Sequence, residues 1–423
     1  MPFEIRVTIA EQTLYPPRIA AFLLLPWLVF RLLRTRFRLV VWDILFMMSA
    51  FWMLVAFVIN YGPATGFVRG GVLAFDIAVP YLAARMAVHD SNDFRRLLIV
   101  VAPGLMIAGS SMLAEVFAGR SLVRPFFTQI FGPLPLYQGG DAIGLASSAS
   151  FERRLGILRA SGPFSHPILA GLFLASFLPL YLSSSIRSWP FVGGVAASIL
   201  SIFSASSAPI LLLLMNAGLL LVDWGQRLVA FINWKLIVPS LCVLALLLHL
   251  GSQNGLLSVL IRLTLNPQTG YFRQLIWQYG TQSVAKHPLF GIGYEGFDRP
   301  TWMPESVDNH WLLLAMRYGL VPALGIGLVV IAAVIILCLK AGQCSELERK
   351  LHVGLAAGLF SFALLGFSVA FFGGIQTWFY VLVAISVSIA SNPAKQESVT
   401  GRLTPRAGSP ENQIAATFNS RAD

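Results

Sequence analysis

LVPALGIGLVVIAAVIILCL, residues 320–339, is a run of twenty residues without a charge. Wound as an α-helix at about 1.5 Å per residue it reaches about 30 Å, the thickness of a bilayer's hydrocarbon core. Similar runs fall at 19–33, 40–59, 68–88, 97–118, 164–185, 191–204, 209–222, 236–250, 352–372 and 376–390. Together they predict an all-α polytopic membrane protein with about eleven transmembrane helices. The composition agrees: 56% of the 423 residues are hydrophobic and 12% charged, against about a quarter charged in soluble domains. That excludes a soluble enzyme. A transmembrane β-barrel needs short strands alternating apolar and polar residues, whereas these runs are continuously apolar. The run at 19–33 holds Pro26 and Arg31, and those at 191–204 and 209–222 are short and meet at SASSAP, residues 204–209. Such helices tilt, kink or stop short of crossing.

The formal charge is +11. In a membrane protein this excess points to a lipid surface or an anionic lipid-linked substrate rather than to nucleic acid. The cysteines, Cys242, Cys338 and Cys344, form no C-x-x-C pair and no disulfide framework. Glu4 and Glu11 alternate with Arg6 and Arg18 before the first apolar run, unlike a cleaved secretory signal, so no cleavage is expected.

Short-loop Lys and Arg favour the cytoplasm. The clusters Arg31, Arg34, Arg36 and Arg38, then Arg85, Arg95 and Arg96, then Lys340, Arg349 and Lys350 share one side if the helices alternate. This places the C-terminus inside, and the N-terminus outside if the first run spans. A bundle over 1–391 then has two long outer loops, 119–163 and 251–309, containing short helices and facing the periplasm in a bacterium. Connections this long are usually functional. The tail 392–423, rich in Ser, Thr, Pro and Gly, reads as disordered and cytoplasmic. No fixed-period repeat and no paired interrupted helices of an inverted-repeat transporter are visible.

Each outer loop is dense in polar signals where it returns to the membrane. LRASGPFSHPILAGLFLA, 158–175, carries Arg159, Gly162 and His166 ahead of an apolar helix. The plain reading of Ser165 or His166 is an N-cap with Pro167 at the first helical position. Arg159 at the mouth of a bundle can also hold a phosphate. YFRQLIWQYGTQSVAKHPLFGIGYEGF, 271–297, places Arg273, Trp277 and Val284 on one side of an amphipathic helix that ends before Pro288. His287 then leads into Gly291 and Gly293, a turn whose backbone amides can approach a ligand. The plainer alternative is a packed loop with Arg273 solvated or paired to Glu295 or Asp298.

VDNHWLLLAMRYGLVP, 307–322, reads as a short helix capped by Asp308 or Asn309, stopped at Gly319, with Pro322 opening the next span. That leaves His310 and Arg317 to explain. Asp, Asn and His in succession, with an Arg two turns on, can supply a general base beside a cationic pocket. Asp308, His310, His166 and His287 share no ligand motif, so no metal is expected. Within the spans Asp76 is the most isolated charge. An intramembrane carboxylate is a functional candidate by default, and its plainer reading is a partner on a neighbouring helix. Asp43 and Glu115 lie nearer the ends of their runs, where a carboxylate is more cheaply hydrated.

These clusters together resemble the O-antigen ligase and O-antigen polymerase family of bacterial envelope glycosyltransferases. The likeness covers the span pattern over most of the chain, with its motifs between Arg159 and Gly319. In that family a large outer loop carries an Arg before a Trp-containing helix and a Pro-Leu-x-Gly-x-Gly turn. His-Asn-x-Tyr-Leu follows, with a Gly seven residues after the Leu. Arg273, Trp277, HPLFGIG (287–293) and DNHWL (308–312) followed by Gly319 fit that layout, and Arg159, Gly162, Phe164, His166 and Pro167 match an earlier Arg-x-x-Gly-x-Phe-x-His/Asn-Pro element. One position departs: Asp308 stands where the family has His, with Asn309 at its Asn and His310 one place later. Either Asp308 takes over as base, or His310 rotates into that role, or activity is lost. The kept register favours Asp308, a base whose pKa desolvation raises and nearby arginines lower.

The resemblance implies an enzyme of the inner membrane that transfers a glycan from undecaprenyl diphosphate to an acceptor hydroxyl on the periplasmic side. The acceptor is the lipid A core of lipopolysaccharide, a second lipid-linked glycan in O-antigen or exopolysaccharide synthesis, or a protein. Arginine's planar fork binds phosphate oxygens bidentately and stays charged. Arg159, Arg273 and Arg317 are therefore the candidates for the diphosphate, without metal or other cofactor. Asp308 or His310 takes the acceptor proton, and attack opposite the leaving group inverts the anomeric centre. His166, His287, Gly291, Gly293 and Asn309 support the site. The competing class is a transporter or flippase of lipid-linked oligosaccharide, for which Asp76 is the attraction. Motifs in outer loops weigh against it, since transporters place their sites near the midplane.

Overall fold

The computed structural model describes residues 2, 4–9, 12–34, 37–132, 153–154, 156–228, 243, 247 and 267–392. All of the expected run 236–250 except 243 and 247, residues 133–152 of the first outer loop, 251–266 of the second and the tail from 393 lie outside the described residues. A two-stranded ladder, β1 (Val7–Ile9) and β2 (Gln12–Leu14), leads into α1 (Pro16–Arg34), α2 (Val41–Tyr61), α3 (Pro63–Ala87) and α4 (Ser91–Ala118). Then come α5 (Val123–Phe131) and a second ladder, β3 (Arg153–Arg154) with β4 (Ile157–Leu158). They are followed by α6 (Pro167–Ser176), α7 (Leu178–Ser183), α8 (Trp189–Leu200) with a 3-10 turn at Ser201–Ser204, and α9 (Ser207–Leu228). The remaining helices are α10 (Pro267–Lys286), α11 (His310–Tyr318), α12 (Leu320–Ala341), α13 (Glu346–Leu365) and α14 (Gly374–Ser391).

Seven of the described helices, α1 to α4, α9, α12 and α14, are long and apolar enough to cross a membrane. The architecture is all-α and polytopic apart from the two ladders. Some expected runs take another form. The run at 164–185 is two helices, because Pro179 has no N–H to donate and its ring crowds the carbonyl one turn back. The run at 352–372 is helical only as far as Leu365, and residues 366–373 turn back at its end. α13 instead begins earlier, with Glu346, Glu348, Arg349 and Lys350 in its first turns.

α14 is buried almost all round, against α1, α3, α6, α12 and α13. Between lipid-facing helices no hydrophobic force acts, so close packing must hold them. Small residues allow it: a Cβ on Gly109 of α4 would lie 3.2 Å from Ala197 Cα of α8.

Alternation of the helices gathers polar contacts at two ends. At one end Arg85 pairs with Asp43, Arg349 with Asp223, and Arg227 with Glu346. There too Asn392 donates to the His89 carbonyl, Lys340 donates to that of Asn392, and Arg85 lies over Phe37. The basic clusters at 85–96 and 340–350 thus share one end, where Phe37, which follows the first cluster's Arg31 and Arg34, also lies. Asp43, although near a helix end, is fully buried and held by protein groups rather than hydrated. Asp76, midway along α3, receives the Arg18 guanidinium through Nε at 2.9 Å and Nη2 at 2.5 Å.

Candidate functional site

The opposite end carries both motif-rich segments. Residues 153–167 run from the β3–β4 ladder, which turns through Gly156, to the start of α6. Arg159 is 4% exposed and donates from Nη2 to Ser206 Oγ at 3.0 Å. Arg154 reaches the neighbouring carbonyl of Ala205 at 3.5 Å, so both guanidinium groups lean on the turn between α8 and α9. Glu115, also near a helix end, is buried beneath this segment. Its Oε2 accepts the amides of Ser161 at 3.1 Å and Gly162 at 2.9 Å. Gly162 has φ +52°, and a Cβ there would lie 2.6 Å from Ser111 Oγ. His166 is the N-cap of α6, with Nδ1 accepting the Ile168 amide at 3.2 Å and Pro167 following.

In the second segment α10 ends at Lys286, just before Pro288. Leu275, Ile276, Gly280 and Val284 line its inner side, and a Cβ on Gly280 would press on Leu312 of α11. Arg273 and Trp277 are half-buried one turn apart on α10, and Trp277 stacks on Phe367 with centroids 6.2 Å apart. The turn after Pro288 does not offer its amides to a ligand. Gly291 N donates to His287 O, Ile292 N to Met316 O, Gly293 N to Arg317 O, and Tyr294 N to Tyr61 Oη. Gly291 and Gly293 have φ +63°, and a Cβ on Gly293 would lie 2.6 Å from the Tyr61 ring. They are glycines because this turn docks onto the end of α11 and onto α2. His287 is exposed beside the turn.

Asn309 caps α11 through Oδ1 to the Leu312 amide and donates from Nδ2 to the Phe367 carbonyl, both at 2.9 Å. Gly319 ends the helix at φ +86°. His310 is 1% exposed, with its ring stacked on Phe371 at 4.6 Å and edge-on to Phe379 and Trp311. Nε2 of His310 has no hydrogen-bond partner among the described residues. Burial in this aromatic box pushes its pKa down to about 3. A neutral, enclosed imidazole is poorly placed to meet an acceptor.

Asp308, one residue before the cap, is half-buried. Desolvation raises its pKa, and the nearby Arg273 charge opposes the rise. Desolvation lowers the pKa of Arg273, Asp308 pulls it back up, and the like charge of Arg154 adds to the fall. Nε of Arg273 has no hydrogen-bond partner among the described residues. Asp298, one of the two partners the sequence offered Arg273, pairs with Lys286 instead. The charges of Arg273 and Asp308 act on each other, and that of Arg154 from the first segment, a residue without a local signal in the sequence, acts on Arg273 as well. Arg317 lies apart, about 10 Å along the α11 axis from His310 at 1.5 Å per residue, with its guanidinium over the Tyr294 ring at 4.9 Å. Of the remaining residues, Asn309 adjoins Asp308 at the start of α11, Gly291 and Gly293 dock against its far end, His287 precedes that turn, and His166 opens α6. Among the described residues no three His, Cys, Asp or Glu side chains converge to hold a metal ion.

Compared with known proteins, the chain matches no family model and no curated protein.

Proposed function

We propose that the chain is a membrane glycosyltransferase of the O-antigen ligase and polymerase type, moving a glycan from undecaprenyl diphosphate to an acceptor hydroxyl at the periplasmic face of a bacterial inner membrane. One observation carries this reading: Arg273 and Asp308 interact at the end of the bundle where Arg154 and Arg159 meet the Ser206 turn. The two outer segments thus contribute cations and a carboxylate of raised pKa to one region.

Asp308 takes the proton of the acceptor hydroxyl, whose oxygen forms a bond to the anomeric carbon. The bond from that carbon to the diphosphate oxygen breaks on the opposite face, and configuration inverts. Arg273 and Arg159 receive the charge that develops on the leaving diphosphate, as preorganised donors that need no reorganisation during the step. Asp76, the attraction of the transport alternative, is paired with Arg18.

The test is Arg273→Ala in a strain lacking the native gene. Loss of lipid-linked glycan transfer, with the protein still inserted at normal level, is the expected result. Normal transfer by this variant removes the assignment.

A further inference from the structure

The first helix of the outer loop has an inverted surface. No residue of α5 is buried, yet its outward side is mainly apolar: Leu122, Phe126 and Ile130 follow at four-residue steps and are exposed, Phe126 by 57% and Ile130 by 59%, with Pro125 and the polar Gln129 beside them. A helix of a water-facing loop turns polar residues outward.

Two observations identify what covers this face. The first is continuity: Val100, Ile107 and Phe117 form the outward stripe of α4, and Leu122 carries the same apolar surface onto α5. The second is height. α4 has 28 residues, about 42 Å at 1.5 Å per residue, which matches a bilayer with its headgroups at about 40–45 Å. Ser91, at the start of α4, is fixed among the charged groups of the other end by its bond to Glu348. The far end of α4 then reaches the headgroup region, and α5 immediately after it lies within the depth over which interfacial helices bury an apolar face toward the acyl chains.

We propose that α5 is an interfacial helix, lying in the leaflet at that end of the bundle with Leu122, Phe126 and Ile130 among the acyl chains. Its position is tied to the candidate site. Glu115 Oε1 accepts the Leu122 amide at 3.0 Å and the Val123 amide at 3.3 Å, while its Oε2 holds Ser161 and Gly162. Arg124 of α5 pairs with the buried Glu4 and donates to the Ser165 carbonyl at 3.3 Å. The lipid contact thus fixes the level at which the Arg159 segment sits.

The experiment places a nitroxide at Phe126→Cys or Ile130→Cys in the full chain carrying Cys242→Ser, Cys338→Ser and Cys344→Ser. The protein is reconstituted in nanodiscs of phosphatidylethanolamine and phosphatidylglycerol. Ile107→Cys on the α4 stripe and Thr301→Cys in an exposed turn supply the lipid and water references. The ratio of collisions with oxygen to collisions with a nickel chelate is expected at 126 and 130 to shift from the value at 301 to that at 107. A ratio like that at 301 overturns the proposal, as does low access to both reagents, which means that protein covers the face. Leu122→Cys reports the same face should either first variant elute as aggregate.

Discussion

Arg85 grips Asp43 through two parallel hydrogen bonds, Nε to Oδ1 at 2.6 Å and Nη2 to Oδ2 at 2.7 Å, with the pair 7% and 0% exposed. Tyr81 Oη donates to the same carboxylate at 2.7 Å, and Arg85 Nη1 donates to Ser388 Oγ at 2.7 Å, so one pair joins α2, α3 and α14. Removing the cation strands a buried carboxylate. Arg85→Ala is expected to cost roughly 3–5 kcal/mol, whereas replacing both partners by apolar residues of similar volume removes the desolvation penalty as well. Thermal unfolding in detergent should therefore rank Asp43→Leu with Arg85→Met above Arg85→Ala alone. A double variant no more stable than the single one contradicts this.

Asp308 links pH to both stability and rate. Its folded pKa lies above the unfolded value, because burial raises it more than Arg273 lowers it. Between the two values the native state keeps a proton that the unfolded chain has released. The contribution is complete below the unfolded pKa and is lost as pH rises through the folded one. A general base works deprotonated, so the proposed transfer should speed up over the interval in which this stability declines. Asp308→Asn is expected to flatten the stability profile and abolish transfer. Arg273→Gln, which removes the opposing charge, should move the stability decline to higher pH. An Asp308→Asn protein with full transfer activity would falsify the base assignment.

His310 behaves in the opposite sense. Its pKa falls from an unfolded value of about 6.5 to about 3 in the fold. The native state binds fewer protons, so its contribution is present above the unfolded value and is lost as pH drops toward the folded one. His310→Phe fits the box of Phe371, Phe379 and Trp311 and should cost less than about 1.5 kcal/mol. It should also remove that acid sensitivity and leave transfer intact, since Asp308 acts as base. His310→Ala leaves a cavity and is expected to cost about 3 kcal/mol. Loss of transfer in a well-folded His310→Phe protein moves the base to this residue.

What the sequence disclosed and what it withheld follow from the range of the interactions. Local signals read correctly: Asn309 and Gly319 bound α11, His166 and Pro167 open α6, and α10 ends before Pro288. Each depends on backbone chemistry within a few residues. Arg154 did not stand out, because nothing local distinguishes the arginine whose charge acts on Arg273 from Arg153 beside it. The turn at 366–373 resembled the end of a span, as Phe367 and Phe371 are apolar, yet it accepts bonds from Asn309 and His310 through carbonyls that every residue possesses. Gly291 and Gly293 were recognisable as a tight turn, but the Gly291 amide is spent on the His287 carbonyl within the turn and that of Gly293 on α11, rather than left for a ligand.

Glu115 is the strongest case of a hidden structural group, because its partners are mainly backbone amides. Oε1 takes Leu122 and Val123 with Ser121 Oγ, and Oε2 takes Ser161 and Gly162. A glutamine can accept with one of its two atoms only, so Glu115→Gln turns an NH₂ toward amides that need an acceptor. Each buried amide left without one costs about 1–3 kcal/mol. Hydrogen exchange read by mass spectrometry should show faster exchange in peptides covering 119–125 or 158–164. Peptides around Asp43 and Arg85, at the other end of the bundle, should be unchanged. Faster exchange everywhere points to global destabilisation instead, and unchanged exchange in both outer peptides means that Glu115 does not hold α5 and the Arg159 segment together.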